Sequence, residues 1–306
     1  PGGCAIGTRP VDIHLFGLKK LGAKIKIKNG YIHAEANKGL FGNNISLPSV
    51  SVGATENLII AASHATGTTI IKNCACEPEI KDLVNFLKKM GASIKWLGKR
   101  KIKIIGSKNF KSVNYSIMFD RIEAGTFIIA GAAISKKIKI TGIETKILKK
   151  ELQLLKKMGV NFKIKKNEIT VFQSKNIKPI SIKTEAYPGF PTDLQAQIMV
   201  LMTKAKGTSK IRENIFENRF MHVPELNRMG AKIKVIGNLS KIDFSKELNG
   251  AEVMATDLRA SVSLVIAGLI AKNRTIINRV YHLDRGYENL ENKLRKCGAL
   301  ISRINY

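Results

Sequence analysis

The chain has 306 residues, 44% of them hydrophobic and 25% charged, which suits about two globular domains. Its longest apolar runs, FIIAGAAI (127–134) and LVIAGLIA (264–271), stop far short of the roughly 18 residues of a membrane span, so no membrane partner is expected. The formal net charge is +29, from 52 Lys and Arg against 23 Asp and Glu, a balance that raises nucleic-acid binding as one reading.

In chain order, the first element is PGGCAIGTRPVDIH (1–14), a glycine-rich turn holding Cys4 and Arg9 and leading into a helix. LKKLGAKIKI (18–27) follows, and its pattern returns as LKKMGASIKW (87–96), LKKMGVNFKI (155–164), LNRMGAKIKV (226–235) and LRKCGALISR (294–303). The shared glycines are Gly22, Gly91, Gly159, Gly230 and Gly298, spaced by 69, 68, 71 and 68 residues. A constant period of this size marks a repeated supersecondary unit. Each copy reads as the end of an amphipathic helix, a glycine cap and a strand.

Between the copies lie apolar helical segments, each followed by a polar turn and a strand: 54–73, 125–142, 193–214 and 257–279. Their Ala-rich faces predict central helices. KIKIKNG (24–30), KIKII (101–105), KKIKIT (136–141) and KIKKNEI (163–169) alternate Lys with Ile, which puts Ile on a buried face and Lys in water. The expected fold is α/β, an inside-out arrangement of two domains with helices at the centre and sheets outside. The Lys excess is then a solvated strand surface, and no nucleic-acid partner is expected. A basic nucleic-acid-binding protein is the competing class, and steep salt dependence of binding would reveal it.

The four cysteines, Cys4, Cys74, Cys76 and Cys297, fit neither a disulfide framework nor a metal site by their spacing. They read as reduced thiols of a cytoplasmic protein. Stretches 1–18, 185–202, 213–229, 251–270 and 274–292 contain no Lys. Their basic residues are Arg9, Arg219, Arg228, Arg259, Arg274, Arg279 and Arg285. Arg grips carboxylate and phosphate bidentately, which Lys cannot do. The forks in GTRPVD, FENRFMH, ATDLRAS and LDRGYE therefore suggest one site for an anionic small molecule, against the plainer reading of ion pairs with neighbouring acids. Asp193, in PGFPTDLQAQ (188–197), reads either as a helix N-cap or as a general base held by a rigid turn.

Taken together, PGGCAIGTRPVDIH, SVSVGATEN (49–57), EPEIKDLVNFL (77–87), DRIEAGTF (120–127), PGFPTDLQAQ, IFENRFMHVPEL (215–226), MATDLRAS (254–261) and YHLDRGYE (281–288) resemble the UDP-N-acetylglucosamine enolpyruvyl transferases over the whole chain. The shikimate-3-phosphate enolpyruvyl transferases share the fold but lack the Cys loop. The resemblance implies transfer of the enolpyruvyl group of phosphoenolpyruvate to the sugar 3-hydroxyl of UDP-N-acetylglucosamine, with loss of phosphate through a tetrahedral intermediate. It implies no cofactor and no metal, and a monomer is expected.

By the same resemblance Cys4 is the proton donor and the target of the epoxide fosfomycin, and Asp193 binds the sugar hydroxyl and acts as base. Arg9, Pro10, Val11, Asp12 and Ile13, the turn Ser49, Val50, Ser51, Val52 and Gly53, and Ile215 with Phe216 hold the nucleotide sugar. Arg9, Arg259 and Arg285 grip phosphoenolpyruvate, supported by Arg219 and Asp257. Ser49 stands where some members carry Lys, and Cys76 where many carry Arg. Residues 1–119 are expected to be the C-terminal part of the first, sugar-binding domain, and 120–306 the second domain without its first strand. The resemblance also implies a segment upstream of PGGC that carries an active-site Lys. The 306-residue chain alone is therefore expected to release no measurable phosphate from phosphoenolpyruvate; turnover by that purified chain would contradict the expectation.

Overall fold

The structure is a computed structural model that describes residues 11–134 and 137–304. Cys4, Arg9 and Pro10 lie outside the described residues. Among those described, the chain divides after Met118 into two compact units.

The first unit opens with α1 (Asp12–Lys20) and the antiparallel hairpin β1 (Lys24–Lys28) and β2 (Tyr31–Glu35). It continues with β3 (Asn44–Ser46), α2 (Val52–His64), β4 (Thr68–Lys72), α3 (Pro78–Met90), β5 (Ser93–Gly98) and β6 (Lys101–Ile105). These four strands form a sheet in the order β3-β4-β6-β5, with β3 and β4 parallel and the other pairs antiparallel. Parallel neighbours need a crossover, which α2 supplies, while β5 and β6 close as a hairpin.

The second unit holds α4 (Arg121–Ile134), β7 (Lys137–Thr141), α5 (Lys149–Lys157), β8 (Asn161–Lys165) and β9 (Glu168–Phe172). Then come β10 (Ser181–Lys183), α6 (Gln195–Met202), β11 (Ser209–Arg212), α7 (Val223–Arg228), β12 (Lys232–Ile236) and β13 (Leu239–Asp243). It ends with β14 (Glu252–Met254), α8 (Leu258–Ile270), β15 (Ile276–Asn278) and α9 (Leu290–Lys296). The order β10-β11-β13-β12 repeats the first unit's sheet strand for strand, with the same directions. The repeat seen in sequence is thus a βαβαββ module.

Helices lie inside, as expected. All eight residues of α6 are buried, and α4, α6 and α8 pack on one another within the second unit. By contrast α3 and α5 are amphipathic and bury only one stripe. The glycines that end each repeated helix share one conformation: φ is +99° at Gly22, +112° at Gly91, +83° at Gly159, +94° at Gly230 and +92° at Gly298. A side chain is strained there, which explains why glycine returns at that period.

Ile–Lys alternation buries one face where a helix layer covers the sheet. Ile94, Ile102 and Ile104 are buried, and Ile104 pairs with Ile94 across β6 and β5. It fails in the β1–β2 hairpin, where Ile27 is 69% exposed and every residue of β2 is exposed. Among the described residues the two-stranded ribbon has little beside it but the nine-residue α1, which does not cover it. The fifth copy also departs from expectation: residues 299–304 form no strand after Gly298.

Close approach restricts Gly106, where an added Cβ would be driven into the carbonyl oxygen of Ala65. Gly106→Ala is expected to destabilise the protein by about 1–3 kcal/mol, read as a lower denaturant midpoint with unchanged slope.

Candidate active site

The second unit gathers its site from segments far apart in sequence. Asp193 sits in the 3-10 turn Thr192–Leu194 that leads into α6. Neither that turn nor α6 uses a side-chain N-cap, so the capping reading of Asp193 does not hold. Its carboxylate meets two arginines instead. Arg219 Nη2 donates to Oδ1 at 2.6 Å, and Arg259 Nη2 donates to Oδ2 at 3.2 Å. The expected alternative, pairing of each Arg with an acid near it in sequence, is not what these two do.

Local structure explains how the forks arrive. Asp257 caps α8, its Oδ1 accepting from the backbone N–H of Arg259 at 2.8 Å and of Ala260 at 3.1 Å. That puts Arg259 in the first helical turn. Arg219 lies in the turn before α7, its guanidinium 5.5 Å from the Phe216 ring centroid. The Arg219 and Arg259 side chains are only 5% and 13% exposed, while that of Asp193 is 40% exposed. The cations are therefore held from behind and the carboxylate faces outward.

Burial pushes the Asp193 carboxyl upward, but Arg259, Arg219 and then Arg121 outweigh it, and the group is held below its ordinary value. Arg121 itself lies near Glu151 at 3.7 Å and 5.9 Å from the Tyr187 ring centroid.

Behind the pair lies a neutral polar hub. The Tyr287 hydroxyl is within hydrogen-bond distance of Thr126 Oγ1 at 2.9 Å, Gln197 Nε2 at 3.3 Å and Arg259 Nη1 at 3.2 Å. Gln197 also donates to the Asp193 carbonyl at 2.8 Å. Burial raises the Tyr287 phenol, so it stays a neutral donor and acceptor. Burial also lowers His222 to about 4, aided by Arg219 and opposed by Asp257, so its imidazole is neutral. Thr126, Gln197, His222 and Tyr287 were not singled out from sequence. Their signal was weak: single polar residues inside apolar helices, and a Tyr two residues after a conspicuous Arg. Arg285 is exposed at the end of the 280–285 turn, two residues before Tyr287.

In the first unit, two other expected segments meet. Ser51 caps α2 through its Oγ, which accepts from Ala54 N–H at 3.3 Å. A Cβ on Gly53 would lie 3.3 Å from the His14 ring, so the start of α1, with Asp12 and Ile13, lies beside the Ser51–Gly53 turn. Ser49 is exposed and Val50 half-buried just ahead of it. Ile215, at 43% exposure, and half-buried Phe216 belong to the second unit's 214–219 loop. Cys74 and Cys76 are buried thiols, and burial raises Cys74 to about 11.

A family model described as EPSP synthase (3-phosphoshikimate 1-carboxyvinyltransferase) matches residues 1–294. A UDP-N-acetylglucosamine 1-carboxyvinyltransferase of Pelagibacter ubique is 63% identical over 305 residues, spanning 100% of this chain and 73% of that protein. A second relative, UDP-N-acetylglucosamine 1-carboxyvinyltransferase 1 of Clostridium acetobutylicum, is 53% identical, spanning 99% and 72%. The chain belongs to the UDP-N-acetylglucosamine 1-carboxyvinyltransferases, within the EPSP synthase family. Among solved structures, the enolpyruvyl transferase NikO from Streptomyces tendae is similar, with TM-score 0.89, 27% identity and coverage of 95% of this chain and 72% of that one. An EPSP synthase from Acinetobacter baumannii shares the fold, with TM-score 0.75, 18% identity and coverage of 100% and 74%. The cluster sets two guanidinium forks, a group able to grip carboxylate or phosphate, beside an outward-facing carboxylate.

Removing one guanidinium should release Asp193. In Arg259→Gln the Asp193 carboxyl is expected to titrate higher, back toward its ordinary value of 3.8, by carbon-detected NMR. A lowered folded-state value contributes stability above 3.8 that is lost as pH falls through the folded value, so the acid limb of unfolding should flatten in the same variant.

Proposed function

We propose that the protein expressed from the full coding sequence, with this chain as its site-bearing part, transfers the enolpyruvyl group of phosphoenolpyruvate to the 3-hydroxyl of UDP-N-acetylglucosamine and releases phosphate, the first committed step of peptidoglycan synthesis. The observation that carries this reading is the 63% identity over 305 residues to a UDP-N-acetylglucosamine 1-carboxyvinyltransferase. The convergence of Arg219 and Arg259 on Asp193 gives it a chemical basis.

In this reading the sugar hydroxyl oxygen adds to C2 of phosphoenolpyruvate. The methylene carbon takes a proton from the Cys4 thiol, and Asp193 accepts the hydroxyl proton. The tetrahedral intermediate then loses a proton from the new methyl group, re-forms the double bond and expels phosphate. A carboxylate held low by two arginines is a poor base. Phosphoenolpyruvate brings a carboxylate and a phosphate, and both are better bidentate partners for a guanidinium. As Arg259 turns to the substrate, Asp193 loses the largest of its stabilising charges, keeps Arg219 and Arg121, and becomes more basic toward the hydroxyl proton. Base strength thus follows substrate binding.

Arg9 and Arg285 complete the grip on phosphoenolpyruvate. Val11 to Ile13, the Ser49–Gly53 turn, Ile215 and Phe216 hold the nucleotide sugar. The N-terminus of α2 supports that assignment, because free backbone N–H groups and the helix dipole favour phosphate. We assign residues 1–119 to the sugar-binding domain and 120–306 to the second domain, and the enzyme to the cytoplasm as a monomer without nucleic-acid partners. Shikimate 3-phosphate is the competing acceptor, given the description of the matching family model. The EPSP synthase structures match at 18% identity, which speaks for the fold alone.

The test is phosphate release from phosphoenolpyruvate by the protein expressed from its full coding sequence, with either acceptor. Release is expected with UDP-N-acetylglucosamine only. Cys4→Ser and Asp193→Asn should each lower kcat by about 10²–10⁴-fold. Release with shikimate 3-phosphate alone, or with neither acceptor from a folded protein, overturns the reading.

A further inference from the structure

Glu213 follows β11 and is 2% exposed. Burying a carboxylate is costly unless its oxygens are satisfied. Among the described residues its side chain accepts from four neutral donors and from no cation. Oε1 accepts from Thr184 Oγ1 at 2.9 Å, Ile215 N–H at 2.9 Å and Phe216 N–H at 3.2 Å. Oε2 accepts from Thr192 Oγ1 at 3.0 Å. The Thr184 hydroxyl in turn accepts from Asn214 N–H at 2.9 Å, closing the knot.

The placement matters more than the count. Thr184 and Glu213 stand just past the C-terminal ends of the parallel pair β10 and β11. Thr192 adjoins Asp193, and Ile215 and Phe216 open the loop that carries Arg219. The two sides of the 2.6 Å Arg219–Asp193 contact are therefore tied to the two oxygens of one carboxylate. Threonine hydroxyls and backbone amides are directional partners without charge, so the knot sets position while leaving the field at Asp193 to the arginines.

We propose that Glu213 is a positioning residue that keeps the Asp193 turn and the 214–219 loop in a single register and so sets how the acceptor sugar is presented to the base. This rests on the acceptor reading above, since Asp193 and Ile215 are the two sugar-facing elements it joins. The groups assigned to phosphoenolpyruvate are not among its partners. Arg219, given only a supporting role there, rides on the loop, so Glu213 should act mainly on the acceptor sugar and only slightly on phosphoenolpyruvate.

Glu213→Ala, in the protein expressed from its full coding sequence, is expected to raise KM for UDP-N-acetylglucosamine and lower kcat, together about 10–100-fold in kcat/KM, with a much smaller change in KM for phosphoenolpyruvate. Glu213→Gln keeps Oε1 for three donors, and its amide can donate to the Thr192 hydroxyl, so it should rescue most of the loss. Hydrogen exchange by mass spectrometry supplies a readout without turnover. Residues 186–194 and 213–219 should exchange faster together in Glu213→Ala, with the rest of the chain unchanged. Thr192→Val breaks only the Oε2 link and should loosen 186–194 alone, which decides the matter if the alanine variant does not fold. Equal loss for both substrates, faster exchange throughout the chain, or no change in either segment overturns the proposal. Wild-type protein inert toward UDP-N-acetylglucosamine overturns the acceptor reading instead, and the exchange pattern still decides whether Glu213 joins the two segments.

Discussion

One carboxylate faces two guanidinium groups, and most of the second unit's site is arranged around that imbalance. Asp193 carries a single negative charge against Arg219 and Arg259, with Arg121 adding to the field. A guanidinium has five N–H donors, more than one shared carboxylate takes up, so donors remain for a further anion. The same two cations keep the Asp193 carboxylate ionised.

Holding such a cluster in place calls for groups that add no charge of their own. The Tyr287 hydroxyl, Thr126 and Gln197 brace Arg259 and the Asp193 carbonyl, and burial keeps the phenol and the His222 imidazole neutral. Asp257 is committed to the N-terminus of α8, where two backbone amides occupy it. Thr126, Gln197 and Arg259 stand on helices α4, α6 and α8, which pack on one another.

The scaffold follows from repetition. A module that begins with a parallel strand pair around a buried helix and ends with a hairpin is stacked along the chain. Burying the apolar helices leaves the sheets to face water, and Lys on alternate positions keeps them soluble. Strand surfaces carry part of the net charge of +29, and the exposed faces of helices such as α1, α3 and α5 carry more of it.

Much of this was legible in sequence because it is local. The period of Gly22, Gly91, Gly159, Gly230 and Gly298 reports a backbone conformation that a side chain resists, and Ile–Lys alternation reports a strand with one wet face. The absence of Lys around Arg219 and Arg259 marked the segments that meet. Sequence did not show that Asp193 is a partner of both arginines rather than a helix cap, because Arg219 lies 26 residues and Arg259 66 residues further along the chain and only packing brings them within 3.2 Å. Nor did it show Glu213, Gln197 or Tyr287, whose roles depend on what surrounds a buried polar group and not on their neighbours in the chain. Burial of β1 and β2 was overestimated for the same reason, since alternation states which side could be covered and only tertiary structure supplies the cover. The sequence by itself determined the family, the module and the residue types available for anion chemistry. Tertiary structure alone decided which charges share a space, because electrostatic and hydrogen-bond energies depend on distance and burial.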